Sequence, residues 1–220
     1  MNYGYFPTMD IINAIGATLY MVAIALSIGS VTSMLLALTL VMTNEGGLWE
    51  NKIVFQILNT IVNLVRSVPF IILMVFIFPF TKFIVGTRIG ANAALVPMTI
   101  FITMYLARLY ENSLLCADKG IIEAAKSMGA SYWQIIWYFI LPEAKASLIL
   151  STTMGTISLI SATAQAGTIG AGGIGDMALT YGYERLEPLV MFVTVIILII
   201  MVQTVQSFGN YYANKIRLHA

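Results

Sequence analysis

Residues 11–44 read IINAIGATLYMVAIALSIGSVTSMLLALTLVMTN and contain no Asp, Glu, Lys or Arg. About twenty consecutive apolar residues are enough for a helix to cross the hydrocarbon core of a bilayer. The run is too long for a signal peptide, and no basic residue precedes it, so we do not expect a cleavable signal peptide. We therefore predict a first membrane span at about residues 13–42.

The rest of the chain repeats this pattern between its charged residues. Further apolar runs predict spans at about residues 53–80, at 91–114, from residue 141 into an uncharged stretch that ends at Gly175, and at 188–210. The 220 residues are 59% hydrophobic and 10% charged, whereas about a quarter of the residues in a soluble domain are charged. We predict an all-α polytopic membrane protein with five transmembrane helices, forming a single domain over residues 1–220.

The distribution of basic residues predicts the orientation of these spans. Cytoplasmic loops carry an excess of Lys and Arg, and an outside N-terminus with a cytoplasmic C-terminus places most of them in or near the cytoplasm: Lys52, Arg66, Arg108, Lys119, Lys126, Lys145, Lys215 and Arg217. Only Lys82, Arg88 and Arg185 then fall outside. The net charge of +1 implies no nucleic-acid partner, and the apolar spans imply a lipid bilayer as the surroundings.

The charged segment at about residues 116–140 is then a cytoplasmic loop, and its sequence predicts a short helix, a break and a second helix. Asp118 is a candidate N-cap, Gly129 suits the left-handed end of a helix, and Ser131 with Gln134 fits a capping box. One face of the first helix is apolar at helical spacing and consists of Ile121, Ile122, Ala125 and Met128. This face lies either on the protein's own spans and the headgroups, or on a partner.

A motif in this loop resembles a known signature. Glu123-Ala124-Ala125, then Gly129 after three residues, then Leu141-Pro142, is similar to the EAA motif of ABC-importer permeases. The spacing is kept, and one position departs, with Phe139 in place of the consensus isoleucine. The stretches 66–73, 86–90 and 170–175 resemble the methionine-uptake subfamily of these permeases.

The resemblance implies the fold of a type I importer transmembrane domain in the bacterial cytoplasmic membrane. It implies a homodimer with two copies of a cytoplasmic ABC ATPase, which binds ATP and Mg, and with an external substrate-binding lipoprotein. The chain itself is then no enzyme and holds no cofactor. The loop helix becomes the coupling helix, and the residues that meet the ATPase are Glu123, Ala124, Ala125, Met128, Gly129, Leu141 and Pro142.

Methionine is the solute that the resemblance favours. Another small solute, such as cystine, a different amino acid or a small peptide, is the alternative, because Gln165 stands where a methionine permease is expected to carry an apolar residue. A membrane scaffold or channel without an ATPase is the alternative from another class.

Arg66 lies inside an apolar run, where an ionised side chain costs at least about 2.5 kcal/mol by insertion scales. We interpret it as a structural intramembrane charge that either reaches the cytoplasmic interface or pairs with an acid such as Glu111, and a direct role in solute binding is the alternative. Pro69 and Pro79 are expected to bend the span that contains them.

Span four carries a stripe of small and polar residues at intervals of three and four: Ser147, Ser151, Gly155, Ser158, Ala162 and Gln165. Small residues on one face allow close packing between membrane helices. The alternative function is a wall of the translocation path, formed by Ser151, Gly155, Ser158, Ala162 and Gln165.

The glycine-rich run 167–175 lacks the Gly-Lys-Ser/Thr ending of a phosphate-binding loop, and we expect it to form a flexible external turn. No Cys, His, Asp and Glu cluster has metal-ligand spacing, so no metal site is predicted. The chain also contains no motif for binding ATP, which means that a partner must supply the energy for transport.

Overall fold

A computed structural model describes residues 8–217, and the main helices cross one another in a single bundle. The long helices are α1 (Thr8–Thr43), α5 (Ala91–Leu114), α8 (Leu141–Ala166) and α10 (Pro188–Arg217). Shorter ones are α2 (Lys52–Ser67), α3 (Phe70–Phe76), α4 (Phe78–Val85), α6 (Lys119–Ser127), α7 (Tyr132–Ile135) and α9 (Ile174–Met177).

Helix α5 is the centre of the bundle and packs against both α1 and α8, which also contact each other. Its side chains Ile102 and Leu106 are fully buried. A glycine faces them from each neighbour, since a Cβ on Gly29 of α1 would meet Ile102, and a Cβ on Gly155 of α8 would lie 2.6 Å from Leu106 Cδ2. Small residues at helix crossings let the backbones approach closely, so these two glycines set the spacing of the three helices.

The predicted second span, residues 53–80, is not one continuous helix. Helices α2 and α3 meet at an angle of 106°. Pro69 causes the break, because a proline disfavours helical geometry in the residue before it, and Val68 is extended with φ −87° and ψ 126°. Pro79 has a different effect from the predicted bend, since it lies in the first turn of α4, where its missing N–H leaves no hydrogen bond unmade.

The other predicted spans are confirmed. The expected bounds 91–114 are those of α5, and α1 and α10 contain the first and last predicted spans, with α10 continuing to Arg217. Within residues 8–217, four helices are long and apolar enough to cross a membrane, and the bent pair α2–α3 makes five if it counts as one span. The chain is an all-α polytopic membrane protein.

The glycine-rich segment after α8 is packed against the bundle, so the expectation of a flexible turn is wrong. A Cβ on Gly167 would lie 2.7 Å from the Cα of Asp176, and a Cβ on Gly173 would lie 2.7 Å from Thr18 Oγ1. The Ile174 backbone N–H donates to this Thr18 hydroxyl over 3.0 Å in a buried position. The glycines here permit close backbone contact with α1 and within the segment itself.

Asp176 in this segment gives the chain a predicted pH dependence. Burial raises the pKa of its carboxyl above the ordinary value, Thr180 opposes this by donating a hydrogen bond over 3.4 Å, and Glu184 raises the pKa further. A group whose pKa is raised on folding binds its proton more tightly in the folded state, so stability is lost as the pH rises through the window between the unfolded and folded pKa values.

We therefore expect Asp176→Asn to flatten the stability profile above the ordinary carboxyl pKa and to leave the variant more stable than wild type at neutral pH. Thermal unfolding of the detergent-solubilised protein over a series of pH values measures this. Parallel profiles for the two proteins would contradict the assignment to Asp176.

Candidate coupling and transport sites

The loop at about residues 116–140, which is predicted to be cytoplasmic, begins with a capped helix that is hydrogen-bonded to span four. The Asp118 carboxylate accepts a hydrogen bond from the Gly120 backbone N–H over 2.6 Å, which caps α6. The Asp118 N–H in turn donates to Glu143 Oε1 over 3.1 Å, and Glu143 lies in the first turn of α8. The start of α6 is therefore connected directly to the start of α8.

The end of α6 is a Schellman turn around Gly129, as the sequence predicts. Gly129 has φ +80°, a conformation that glycine adopts without steric cost. Its N–H donates to the Lys126 carbonyl over 3.0 Å, and the Ala130 N–H donates to the Ala125 carbonyl over 3.1 Å. These two bonds satisfy carbonyl groups at the helix end and reverse the chain.

The next helix begins with the predicted capping box. The Ser131 N–H donates to Gln134 Oε1 over 2.7 Å, and the Gln134 N–H donates to Ser131 Oγ over 3.4 Å. From here α7 runs through a π-helical turn, Ile136–Ile140, into α8, with Pro142 in the first turn of α8. Capping at both ends makes α6 and its turn a defined unit and not a loose loop.

The predicted apolar face of α6 divides into an inward and an outward part. Ala125 is fully buried and Ile122 is partly buried against the core, whereas Ile121 is exposed and Met128 is 76% exposed. Ala125 packs within the chain in this conformation and has no surface to offer a partner. Of the other predicted coupling residues, Leu141 is half-buried and the exposed ones are Glu123, Ala124, Met128, Gly129 and Pro142.

Half of the stripe on α8 packs against α5. Ser113 Oγ of α5 lies 2.9 Å from Ser151 Oγ and accepts a hydrogen bond from Ser147 Oγ over 2.9 Å. Gly155 is buried against Leu106, and Ala162 is 2% exposed. Ser158 is half-buried, and Gln165 at the end of the helix is exposed. The packing interpretation therefore holds for Ser147, Ser151 and Gly155. A role of the stripe residues in a translocation path stays a prediction.

The contact of Gly155 with α5 predicts a loss of stability on substitution. We expect Gly155→Val to destabilise the chain by about 1–3 kcal/mol, because overpacking a buried contact forces neighbouring side chains from their positions. Gly16→Val is the control, since a Cβ there would meet no atom within 4 Å. Thermal unfolding in detergent compares the two, and equal melting temperatures would contradict the packing role of Gly155.

An intramembrane charge cluster joins α2 to α5, and its centre is Arg108. The guanidinium donates through Nη1 to Glu111 Oε2 over 2.7 Å and through Nη2 to Asn63 Oδ1 over 2.7 Å, and Nη2 also donates to Asn59. The Glu111 side chain is only 4% exposed. Asn59 and Asn63 lie one helical turn apart on α2, so the Arg108 side chain of α5 can donate hydrogen bonds to both asparagine side chains of α2.

This cluster changes the interpretation of Arg66. The sequence offered Glu111 as a partner for Arg66, but within residues 8–217 the ion pair of Glu111 is with Arg108. Arg66 is exposed, and in the same range no hydrogen bond or ion pair occupies its guanidinium. Arg108 was not predicted as the partner of Glu111, although their i, i+3 spacing on one helix was a usable signal.

The sequence of the chain matches a known protein family. Residues 29–218 match the family described as "Binding-protein-dependent transport system inner membrane component". The chain is 45% identical over 206 residues to the probable D-methionine transport system permease protein MetI of Vibrio cholerae, covering 94% of this chain and 92% of that protein. It is 43% identical over 215 residues to the methionine import system permease protein MetP of Bacillus subtilis, covering 96% and 97%.

Solved structures agree with these sequence relationships. A chain of the MetNI methionine ABC transporter, solved in inward-facing conformations, superposes with a TM-score of 0.94 at 36% identity, covering 97% of this chain and 99% of that one. A crystal structure of an amino acid ABC transporter matches with a TM-score of 0.78 at 18% identity, which shows the shared fold alone. The chain belongs to the family of binding-protein-dependent transport system inner membrane components, in its group of methionine-system ABC permeases.

Proposed function

We propose that this chain is the membrane-spanning subunit of an ATP-driven methionine importer and that α6 is its coupling helix. The observation that carries the proposal is the exposed surface formed by Glu123, Ala124, Met128 and Gly129 on a helix that is capped at both ends. A defined helix with a free outer face suits docking into a groove of another protein. The printed names of the relatives, which are permeases of methionine transport systems, support the same function.

The motor in this proposal is a separate cytoplasmic ABC ATPase that binds ATP and Mg. Two permease chains form the transmembrane pathway, and one ATPase subunit docks on the α6 of each. Closure of the ATPase pair on ATP moves both coupling helices, and the bond between Asp118 and Glu143 transmits this movement to α8. The spans then alternate between inward-open and outward-open states, and hydrolysis resets the cycle.

The proposed location is the bacterial cytoplasmic membrane, with the N-terminus outside and the C-terminus in the cytoplasm. The positive-inside rule supports this orientation. A substrate-binding lipoprotein docks in this arrangement on the external side, where the segments at about 81–90 and 166–187 lie.

Transport by the reconstituted complex tests the choice of solute. The permease, its ATPase and its binding protein are placed in proteoliposomes, and ATP-dependent uptake of radiolabelled methionine is measured with cystine and another amino acid as competitors. We expect uptake that needs ATP and that unlabelled methionine suppresses. ATP-dependent uptake of cystine but not of methionine would contradict the solute while leaving the importer function standing.

A further inference from the structure

Helix α2 has a sharply divided surface. At about 100° per residue, its polar side chains fall in one arc of about 120° that contains no apolar residue. The arc consists of Lys52, Gln56, Asn59, Thr60, Asn63, Arg66 and Ser67. The remaining arc is wholly apolar, and no Asp or Glu occurs in the helix.

Packing within the chain does not use most of this surface. Within α2, every residue of which the structure describes, Val62 alone is buried. The helix therefore has two free faces, and they differ in character. The exposed apolar face consists of Ile53, Ile57, Ile61 and Leu64, and the exposed polar face consists of Lys52, Gln56, Thr60, Asn63, Arg66 and Ser67.

Only one of these faces is compatible with lipid. A polar side chain in hydrocarbon without a partner costs free energy, and ionisable groups at membrane depth face a bundle interior or a water-filled cavity. The apolar face of α2 therefore turns to lipid, and the polar face turns to an environment that can hydrate it. Arg108 fixes this rotation, because it holds Asn63, at the middle of the polar arc, and Asn59, nearer the Arg66 edge of the arc, against α5.

We infer that the polar face of α2 is a wall of the water-filled solute path. Arg66 lies at the C-terminal end of α2, next to the bend at Pro69, and pairs with the carboxylate of the solute during passage. This rests on the proposed function, in that the solute is an amino acid. Within residues 8–217 the Arg66 guanidinium has no ion-pair or hydrogen-bond partner, and a guanidinium binds carboxylates with two parallel hydrogen bonds. The path is thereby assigned to α2, in contrast to the stripe on α8 that packs against α5.

Thiol labelling tests the position of the path. The chain has one cysteine, Cys116, so Cys116→Ser gives a background for single cysteines at Gln56, Thr60 and Asn63 on the polar face. Matched controls at Ile57, Ile61 and Leu64 are exposed in the single chain on the other face. In the reconstituted complex, we expect a charged, membrane-impermeant thiol reagent to label the polar positions at least about tenfold faster, because only thiolates in contact with water react.

Two results would overturn the assignment. Equal, slow labelling on both faces would show that no water reaches the polar face. Disulfide-linked dimers from the polar positions, without labelling, would show that the face packs against a second copy of the chain.

A second measurement tests Arg66 itself. At saturating loaded binding protein, Arg66→Gln is expected to lower the amount of solute moved per ATP hydrolysed by about tenfold, which corresponds to the loss of one charge-assisted interaction. Arg66→Lys keeps the charge and is expected to restore most of this ratio. ATP hydrolysis is measured in the same samples, so that the ratio of solute moved to ATP hydrolysed, and not the rate of either alone, decides the result. Normal transport per ATP in Arg66→Gln would remove Arg66 from the path.

Failure of the proposed function gives a different result. If wild type shows no ATP-dependent uptake of any amino acid, the proposed function fails. If wild type transports but the labelling pattern or the Arg66 variants do not behave as expected, only the present inference fails.

Discussion

Replacing Arg108 by Met is expected to destabilise the folded chain by about 3 kcal/mol or more, because removing one member of a buried ion pair leaves the other charge without compensation. Here the remaining charge is the Glu111 carboxylate, with a side chain that is 4% exposed. Asn59 and Asn63 would also lose their donor, so the contact between α2 and α5 would weaken at the same time. Denaturation of the detergent-solubilised protein by increasing SDS measures the effect.

A double variant and a matched single variant make this result specific. Arg108→Met with Glu111→Met removes both charges and is expected to recover most of the lost stability, since an apolar pair often replaces a buried ion pair at little cost. Arg66→Met removes a charge that is exposed, and its effect is expected to stay within about 0.5 kcal/mol. Similar losses for Arg66→Met and Arg108→Met would contradict the cluster described here.

The same substitution at two adjacent alanines of α6 is expected to impair different properties, uptake at Ala124 and stability at Ala125. Ala124→Arg places a large charged side chain on the proposed docking surface, and we expect ATP-driven uptake to fall by at least about tenfold, as for hot-spot positions of an interface. The free energy of unfolding of this variant should change by no more than about 0.5 kcal/mol, because the Ala124 side chain is exposed and surface substitutions usually have small effects.

Ala125→Arg is the matched comparison. Ala125 is 0% exposed, so an arginine there must bury a charge without a partner, and a stability loss above about 3 kcal/mol is expected. Measuring uptake and thermal unfolding for both variants separates docking from folding. Wild-type uptake by Ala124→Arg would contradict the docking role of the outer face of α6.

Local signals were enough to predict the loop from its sequence. Each cap of α6 and α7 depends on residues within five positions of one another. The predicted capping residues, Asp118, Gly129 and the pair of Ser131 and Gln134, are all found as expected. The sequence does not show which residues of the apolar face of α6 turn toward the core and which turn outward. Ala125 and Met128 lie on one apolar stripe, and only the packing of α6 on the core decides that the first is buried and the second exposed.

Long-range features were harder to predict for the same reason. Charges mark the ends of spans, which is why the bounds of α5 are correct, but they do not show a bend inside a span. Pro69 predicted the bend, and only its size of 106° was not expected from the sequence. The ion pair of Glu111 with Arg108 is a local feature, since the two residues lie at i, i+3 on α5, and the long-range part that the sequence did not show is the contact of Arg108 with Asn59 and Asn63 of α2.

The most direct test of the coupling function is a cross-link between this chain and its ATPase. In the Cys116→Ser background, a cysteine is placed at Met128 on the exposed side of α6, and another at Tyr183, which is also exposed but lies in the segment proposed to be external. A thiol-to-amine cross-linker is added to the assembled complex, and the products are identified by mass. We expect the cysteine at position 128, and not the one at 183, to form a covalent product with the ATPase. Absence of that product from position 128, or its formation from position 183, would contradict α6 as the coupling helix.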